Sequence, residues 1–265
     1  MKDPSIIKGK DGRYYMFYTG SAFGFQGESP PPWRIDFAVS ADGVKWEKQG
    51  TAFTADKGSW EQGRAQAPSK PIWHDGKYWM FYAGGPREPE NICRIGYATS
   101  TDLKTWKKGP GFVVSHTNGE VNKANDPFVY FEEGLYYLFY TTYPKGKHRE
   151  EEVFFRTSEN LKTWSEPTPT GAWGEGTVVW KEKDTYYLLG AVGGSARNEK
   201  YLLFSSRSLD KFEHHGPISM KIPSFAEVSW GHGDIVIEKG KVRLYFQATN
   251  DFGKNFQIGR ARGIR

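Results

Sequence analysis

The chain is almost without cysteine: Cys93 is the only one among 265 residues. An intrachain disulfide and any multi-cysteine metal site are excluded on that ground. Cys93 itself reads as a small strand residue in "NICRIGYATS". Long apolar runs are missing as well. None approaches the roughly 18 residues of a membrane span, and no signal-peptide pattern precedes the first recognisable block. Helix signals are nearly absent. Nor is there an excess of one charge: Lys+Arg 36 stand against Asp+Glu 31, a formal net of +5 with the two signs interspersed. No nucleic-acid surface and no membrane partner are expected from that pattern.

Aromatics are plentiful, at 16% of the chain, which suits a β-rich or sugar-binding protein. They fall in a repeat. "DGRYYMFYTG" (11–20) returns as "DGKYWMFYAG" (75–84), "EGLYYLFYTT" (133–142), "KDTYYLLGAV" (183–192) and, degraded, "KGKVRLYFQA" (239–248). A second motif lies downstream of the first four: "VSADGVKWE", "TSTDLKTWK", "TSENLKTWS" and "SRSLDKFE". Each block reads as apolar strand, Asp-Gly-type turn, aromatic strand, loop, third strand, turn and short fourth strand. Four strands repeated five times is the pattern of a β-propeller. The prediction is one all-β domain over residues 1–265, a five-bladed β-propeller with four-stranded antiparallel blades. The blades fall near 3–60, 64–115, 124–170, 174–222 and 229–265. The last offers only three strands, so either a further N-terminal strand completes it or side-chain packing closes the ring.

The inner strand of a blade lines the axis, so residues entering it stand at the mouth of the channel. The heads read "KDPSII" (Asp3), "QAPSKPIW" (Ala67-Pro68), "NDPFVY" (Asp126), "GEGTVV" (Glu175) and "WGHGDIV" (His232). Three carboxylates and a histidine at equivalent places on a ring should converge on one small volume. Like charges so gathered repel, so at least one carboxyl is expected to be protonated near neutrality. A protonated acid beside an ionised base suits glycosidic cleavage.

At these heads the sequence resembles glycoside hydrolase family 43 and its five-bladed relatives. The resemblance implies that Asp3 is a general base, Glu175 a general acid, and Asp126 the residue that orients the acid and raises its pKa. It also implies that His232 lies on the axis beside a calcium ion or a water. Thr177 departs from the pattern, standing where the family usually has Pro, and Asp3 sits at the very start of the chain.

Other residues carry weaker expectations. Arg64 in "QGRAQAPS" could bind an anionic or hydroxyl-rich ligand, or simply be a surface arginine. Trp33, Trp173 and Trp230 flank loops or heads, where indoles could stack on sugar rings. Trp46, Trp106 and Trp164 fall on the repeat phase and read as packing. "YPKGKHREEE" (143–152) reads as a solvated loop. The expected activity is inverting hydrolysis of arabinose- or xylose-type linkages in an oligosaccharide or polysaccharide by a monomer, with no required cofactor. Fructoside, anhydrosugar or phosphorolytic chemistry on the same scaffold stays open, as does a non-catalytic carbohydrate-binding propeller.

Overall fold

The protein is described by a computed structural model over residues 1–20, 32–86, 92–115, 123–143, 151–192, 200–221, 223–238, 240–251 and 255–263. Five antiparallel sheets follow one another along the chain, each running in sequence order from an inner to an outer strand. The first is Lys2–Lys8, Tyr14–Gly20, Arg34–Ser40 and Glu47–Thr54. The second blade has a broken inner strand, Ala65–Gln66 and Ile72–His74, followed by Lys77–Gly84, Arg94–Ser100 and Lys107–Val114. Pro68 and Pro71 fall in the break, where neither can donate to a ladder. The third and fourth blades start at Asn125–Glu132 and Glu175–Glu182. The architecture is the five-bladed propeller that the repeat implies.

Burial follows the position of a strand in its blade. All seven residues of Tyr14–Gly20 are buried, because aromatic second strands are covered on both faces by neighbouring blades. Outer strands such as Glu47–Thr54 are mostly exposed. The turn motif before each outer strand is built by its own side chains. Ser100 Oγ accepts from Leu103 N at 2.9 Å, and Asp102 Oδ1 accepts from the amides of Lys104 and Thr105. Ser158 and Asn160 repeat this arrangement in the third blade.

The motif's tryptophan then packs on the preceding blade. Trp106 meets Phe17 edge-on at 5.3 Å, and Trp164 meets Phe81 at 5.6 Å. Trp46 of the first blade meets Tyr245 of the last in the same way, at 6.0 Å. The repeat therefore continues across the closure. Among the described residues the last sheet has three strands, Ser229–Glu238, Lys241–Thr249 and Gln257–Gly263. Its side chains seal the ring. Asp234 Oδ2 accepts from Ile6 N at 2.8 Å, and Tyr245 OH donates to Gly43 O at 2.8 Å.

Candidate active site

The five heads share a backbone device. Four inner strands skip register near their start, between Lys2 and Ser5, Asn125 and Phe128, Glu175 and Val178, and Gly231 and Gly233, and the second blade's inner strand is broken there instead. The residue at the skip has positive φ: Asp3, Ala67, Asp126, Gly176 and His232. Such bulges bend a strand and re-aim a side chain, here towards the axis. Strained backbone of this kind concentrates at functional sites. One expectation is corrected by this register. Glu175 does not occupy the position of Asp3 and Asp126; it stands one residue earlier, opposite Ala191 as Lys2 is opposite Thr19 and Asn125 opposite Thr141. Gly176 takes the bulge position because a Cβ there would lie 2.7 Å from His232 Cα.

Side chains on the second strands fix neighbouring heads to one another. Thr19 Oγ1 donates to Asp3 Oδ2 at 2.7 Å and accepts from Ala67 N at 2.8 Å. Thr141 Oγ1 reaches Gly174 O, and Gln247 Oε1 accepts from Asp3 N at 3.1 Å. Asp3, although near the start of the chain, is held by the blades on either side. The heads surround a cavity of about 340 Å³ open to solvent, lined by Asp3, Ala67, Asp126, Gly176, Thr177 and His232 among others.

His232 is the hub. Its Nδ1 lies 3.2 Å from Asp3 Oδ1 and 4.0 Å from Asp126 Oδ2, while its Nε2 lies 3.1 Å from Glu175 Oε2. The structure thus brings Asp3, Asp126, Glu175 and His232 together. Three further residues join them. Lys123 Nζ donates to Glu175 Oε1 at 2.5 Å and to Glu151 Oε1 at 2.7 Å, and Tyr143 OH also donates to Glu151. Glu151 and Tyr143 close the two ends of the stretch read as a solvated loop; residues 144–150 between them lie outside the described residues.

Local pairing puts these residues in place. Lys123 bridges Cys93 at the start of the second blade's third strand, and Ala124 N donates to Cys93 O at 3.0 Å. Gly174 N, one residue before Glu175, donates to Glu151 O at 3.0 Å. Lys123 had a signal in the sequence: it stands three residues before Asp126, as Arg64 does before Ala67. Glu151 had almost none.

The electrostatics divide the carboxyl groups. Burial pushes Asp3 up, but Lys2 and His232 outweigh it and bring its pKa down to about 2. Burial also acts on Glu175, yet Lys123 and His232 hold it well below the usual carboxylate range. Asp126 goes the other way, to about 6, through burial and the charges of Glu175 and Asp3, against the pull of His232. Glu151 is raised to about 8 by burial and by Glu175. Crowding does raise a carboxyl pKa, as expected from the sequence. It raises Asp126 and Glu151, however, while Lys123 and His232 lower Glu175.

The remaining sequence candidates lie elsewhere. Arg64 is buried, and its guanidinium donates to the backbone carbonyls of Gly85, Pro86 and Ile92, bracing the second blade. Trp33 is buried, with its backbone tied to Gly63 and Ala55. Trp173 packs on Phe204 and His214, and Trp230 on Tyr201 and Phe246. None of these four residues lines the cavity; Glu175 borders it through Gly176 and His232. The donor set also fits the calcium expected at His232 poorly. Asp126, Glu175 and His232 offer two oxygens and one nitrogen within 4.8 Å, whereas calcium takes six to eight oxygens. The imidazole Nε2 already pairs with Glu175 Oε2 at 3.1 Å.

Compared with known proteins, the whole chain, residues 1–265, matches the sequence profile of glycosyl hydrolases family 43. The chain belongs to that family. Membership of family 43 agrees with the resemblance carried by the five heads. Among curated relatives, an arabinan endo-1,5-alpha-L-arabinosidase A of Aspergillus niger is 23% identical over 199 residues, 72% of this chain and 58% of that protein. A 1,2-beta-oligomannan phosphorylase of Thermoanaerobacter sp. (strain X514) is 34% identical over 106 residues, 40% of this chain and 29% of its own. The chain thus spans less than two thirds of the curated relatives it matches. An alpha-L-arabinofuranosidase structure from Lactobacillus brevis aligns with a TM-score of 0.77 at 14% identity, over 98% of this chain and 90% of that one. A thermostable family-43 glycoside hydrolase aligns at 0.78 and 16%, over 98% and 88%. At those identities the likeness is one of fold.

Proposed function

We propose that this protein is an inverting glycoside hydrolase of family 43 acting on arabinose- or xylose-type linkages in an oligosaccharide or polysaccharide. The observation that carries this reading is the convergence of Asp3, Asp126 and Glu175 on His232 at the channel mouth. Asp3, ionised at any pH above about 2, is suited to take a proton from the attacking water. Glu175 delivers a proton to the leaving oxygen. Asp126 supports the acid: its Oδ2 accepts from Gly176 N at 3.2 Å, fixing the backbone next to Glu175, and its charge opposes ionisation nearby. His232 stands between base and acid, 3.2 Å from Asp3 and 3.1 Å from Glu175. An inverting pair needs room for a water, roughly 6.5–9.5 Å between its carboxyl groups against ~5 Å for a retaining pair.

The pentose preference is drawn from the relatives, whose names include an arabinosidase and an arabinofuranosidase. Phosphorolysis is less favoured. A phosphate would compete with two carboxylates for Lys123, and the Arg64 guanidinium is committed to backbone carbonyls.

A panel of aryl pentosides, aryl hexosides and plant polysaccharides, screened with the wild type and Glu175→Gln, tests the proposal. Glu175→Gln should lose roughly 10³-fold or more on unactivated glycosides and far less on substrates with good leaving groups, which hardly need protonation. Equal losses on both would remove Glu175 from the acid role, and glycan binding without turnover would favour a binding propeller.

A further inference from the structure

The reaction just described leaves one problem and one unused group. Lys123 and His232 both favour the ionised form of Glu175, which must gain a proton before it can give one. Beside it lie Lys123, Glu151 and Tyr143. One ammonium serves two carboxyl groups, at 2.5 Å from Glu175 and 2.7 Å from Glu151. A single positive charge cannot balance two carboxylates gathered around it, so one of the two is expected to carry a proton. The distribution of partners decides which. Glu175 faces Lys123 and His232, two groups that favour its anion. Glu151 faces Lys123, the Tyr143 hydroxyl and the charge of Glu175, and burial adds to that repulsion. Asp126 also lies beside Glu175, with carboxylate oxygens within 4.8 Å of each other, and adds a second negative neighbour to the group.

We propose that Glu151 stores the proton that Glu175 passes to the leaving oxygen, with Lys123 holding the two carboxyl groups in one hydrogen-bonded unit. This rests on the hydrolase reading above. Glu151 acts through Glu175 and is a positioning residue in that sense. The transfers balance. The O–H bond of Glu151 breaks as an O–H bond forms on Glu175. Glu175 then loses that proton to the glycosidic oxygen, whose bond to the anomeric carbon breaks with the electron pair staying on oxygen. The water oxygen bonds to the anomeric carbon while Asp3 takes a proton from it. Turnover leaves Asp3 protonated and Glu151 ionised, and exchange with solvent restores both.

The pair can be watched without any substrate. In protein labelled with carbon-13 at the glutamate carboxyls, one resonance should titrate near pH 8 and vanish in Glu151→Gln. Gln keeps a hydrogen-bond donor towards Glu175 but supplies no proton. With a poor leaving group, the alkaline limb of kcat/KM should therefore move at least about two pH units towards acid, and kcat at pH 7 should fall roughly 100-fold. Good leaving groups should lose less than about tenfold. Lys123→Met removes the cation that favours both anions, so it should move the limb the opposite way. Two variants shifting one limb in opposite directions is not a result of general loosening. If no glutamate titrates above pH 7 in the wild type, or if the limb stays put in Glu151→Gln, the proposal is wrong even for a working glycosidase. If the resonance behaves as expected but no glycoside is cleaved, the hydrolase reading fails, and the catalytic role of the proton fails with it.

Discussion

His232 sets the character of the site one residue at a time. By facing Asp3 and Glu175 it favours both anions, and the burial cost then falls on Asp126, which has no ion pair as close. Asp3 and Asp126 should accordingly pull stability in opposite directions with pH. Asp3, lowered to about 2 from its ordinary 3.8, stabilises the fold above pH 4, and that contribution is lost as pH falls through 2. Asp126, raised to about 6, favours the fold below pH 4, and that contribution is lost as pH rises through 6. Asp126→Asn mimics the protonated acid and can still accept the Gly176 amide. It should gain on the order of 2 kcal/mol at pH 8 and almost nothing at pH 4. Urea denaturation at the two pH values measures this. An equal effect at both would mean that Asp126 does not carry the burial cost of the site. A gain in stability at the expense of turnover is the usual trade at a strained catalytic position.

At the scale of the strand, the repeat was legible because each blade must reuse the same solutions. Aromatic second strands fill the space between sheets, Ser-x-Asp turns satisfy their own amides, and a tryptophan closes onto the blade before it. The bulge at each head was not legible, because Asp-Pro, Ala-Pro, Glu-Gly and His-Gly look alike only once the ladder register is known. That is why Glu175 came out one residue from its true phase. Trp33 is buried and Trp230 packs on Tyr201 and Phe246, whereas Trp173 lies against Phe204 and His214 with 38% of its surface exposed. Trp106 tests the packing rule. Trp106→Ala should cost about 3 kcal/mol by emptying the space against Phe17. Ser100→Ala should cost only about 1 kcal/mol, since it removes turn hydrogen bonds but no packing. The order of the two denaturation midpoints is the check. A milder loss for the tryptophan would mean that the blades are held chiefly by their turns.

Taken as a whole, the ring is what turns distant sequence into one site. Asp3, Glu175 and His232 belong to the first, fourth and fifth blades, and closure places His232 between the other two. Glu151 was invisible from sequence for the complementary reason. It belongs to no head and reaches Glu175 only because two neighbouring blades meet at Gly174. The same closure bears on stereochemistry. Asp3 and Glu175 head the first and fourth blades and lie on either side of the imidazole, an arrangement suited to an inverting pair with room for a water. A water can therefore lie between Asp3 and the anomeric carbon, and displacement by that water inverts the configuration. Proton NMR of the anomeric signals in the first minutes of hydrolysis should show the opposite anomer first, before mutarotation mixes the two. Initial retention would require a covalent intermediate, with Asp3 as its nucleophile or as a bystander. His232→Ala sharpens the test: with the spacer gone the carboxylates repel without a bridge, so turnover should fall by at least about tenfold while the product stays inverted. A switch to retention in that variant would mean that the imidazole, and not the placement of the blades, holds the two carboxylates apart.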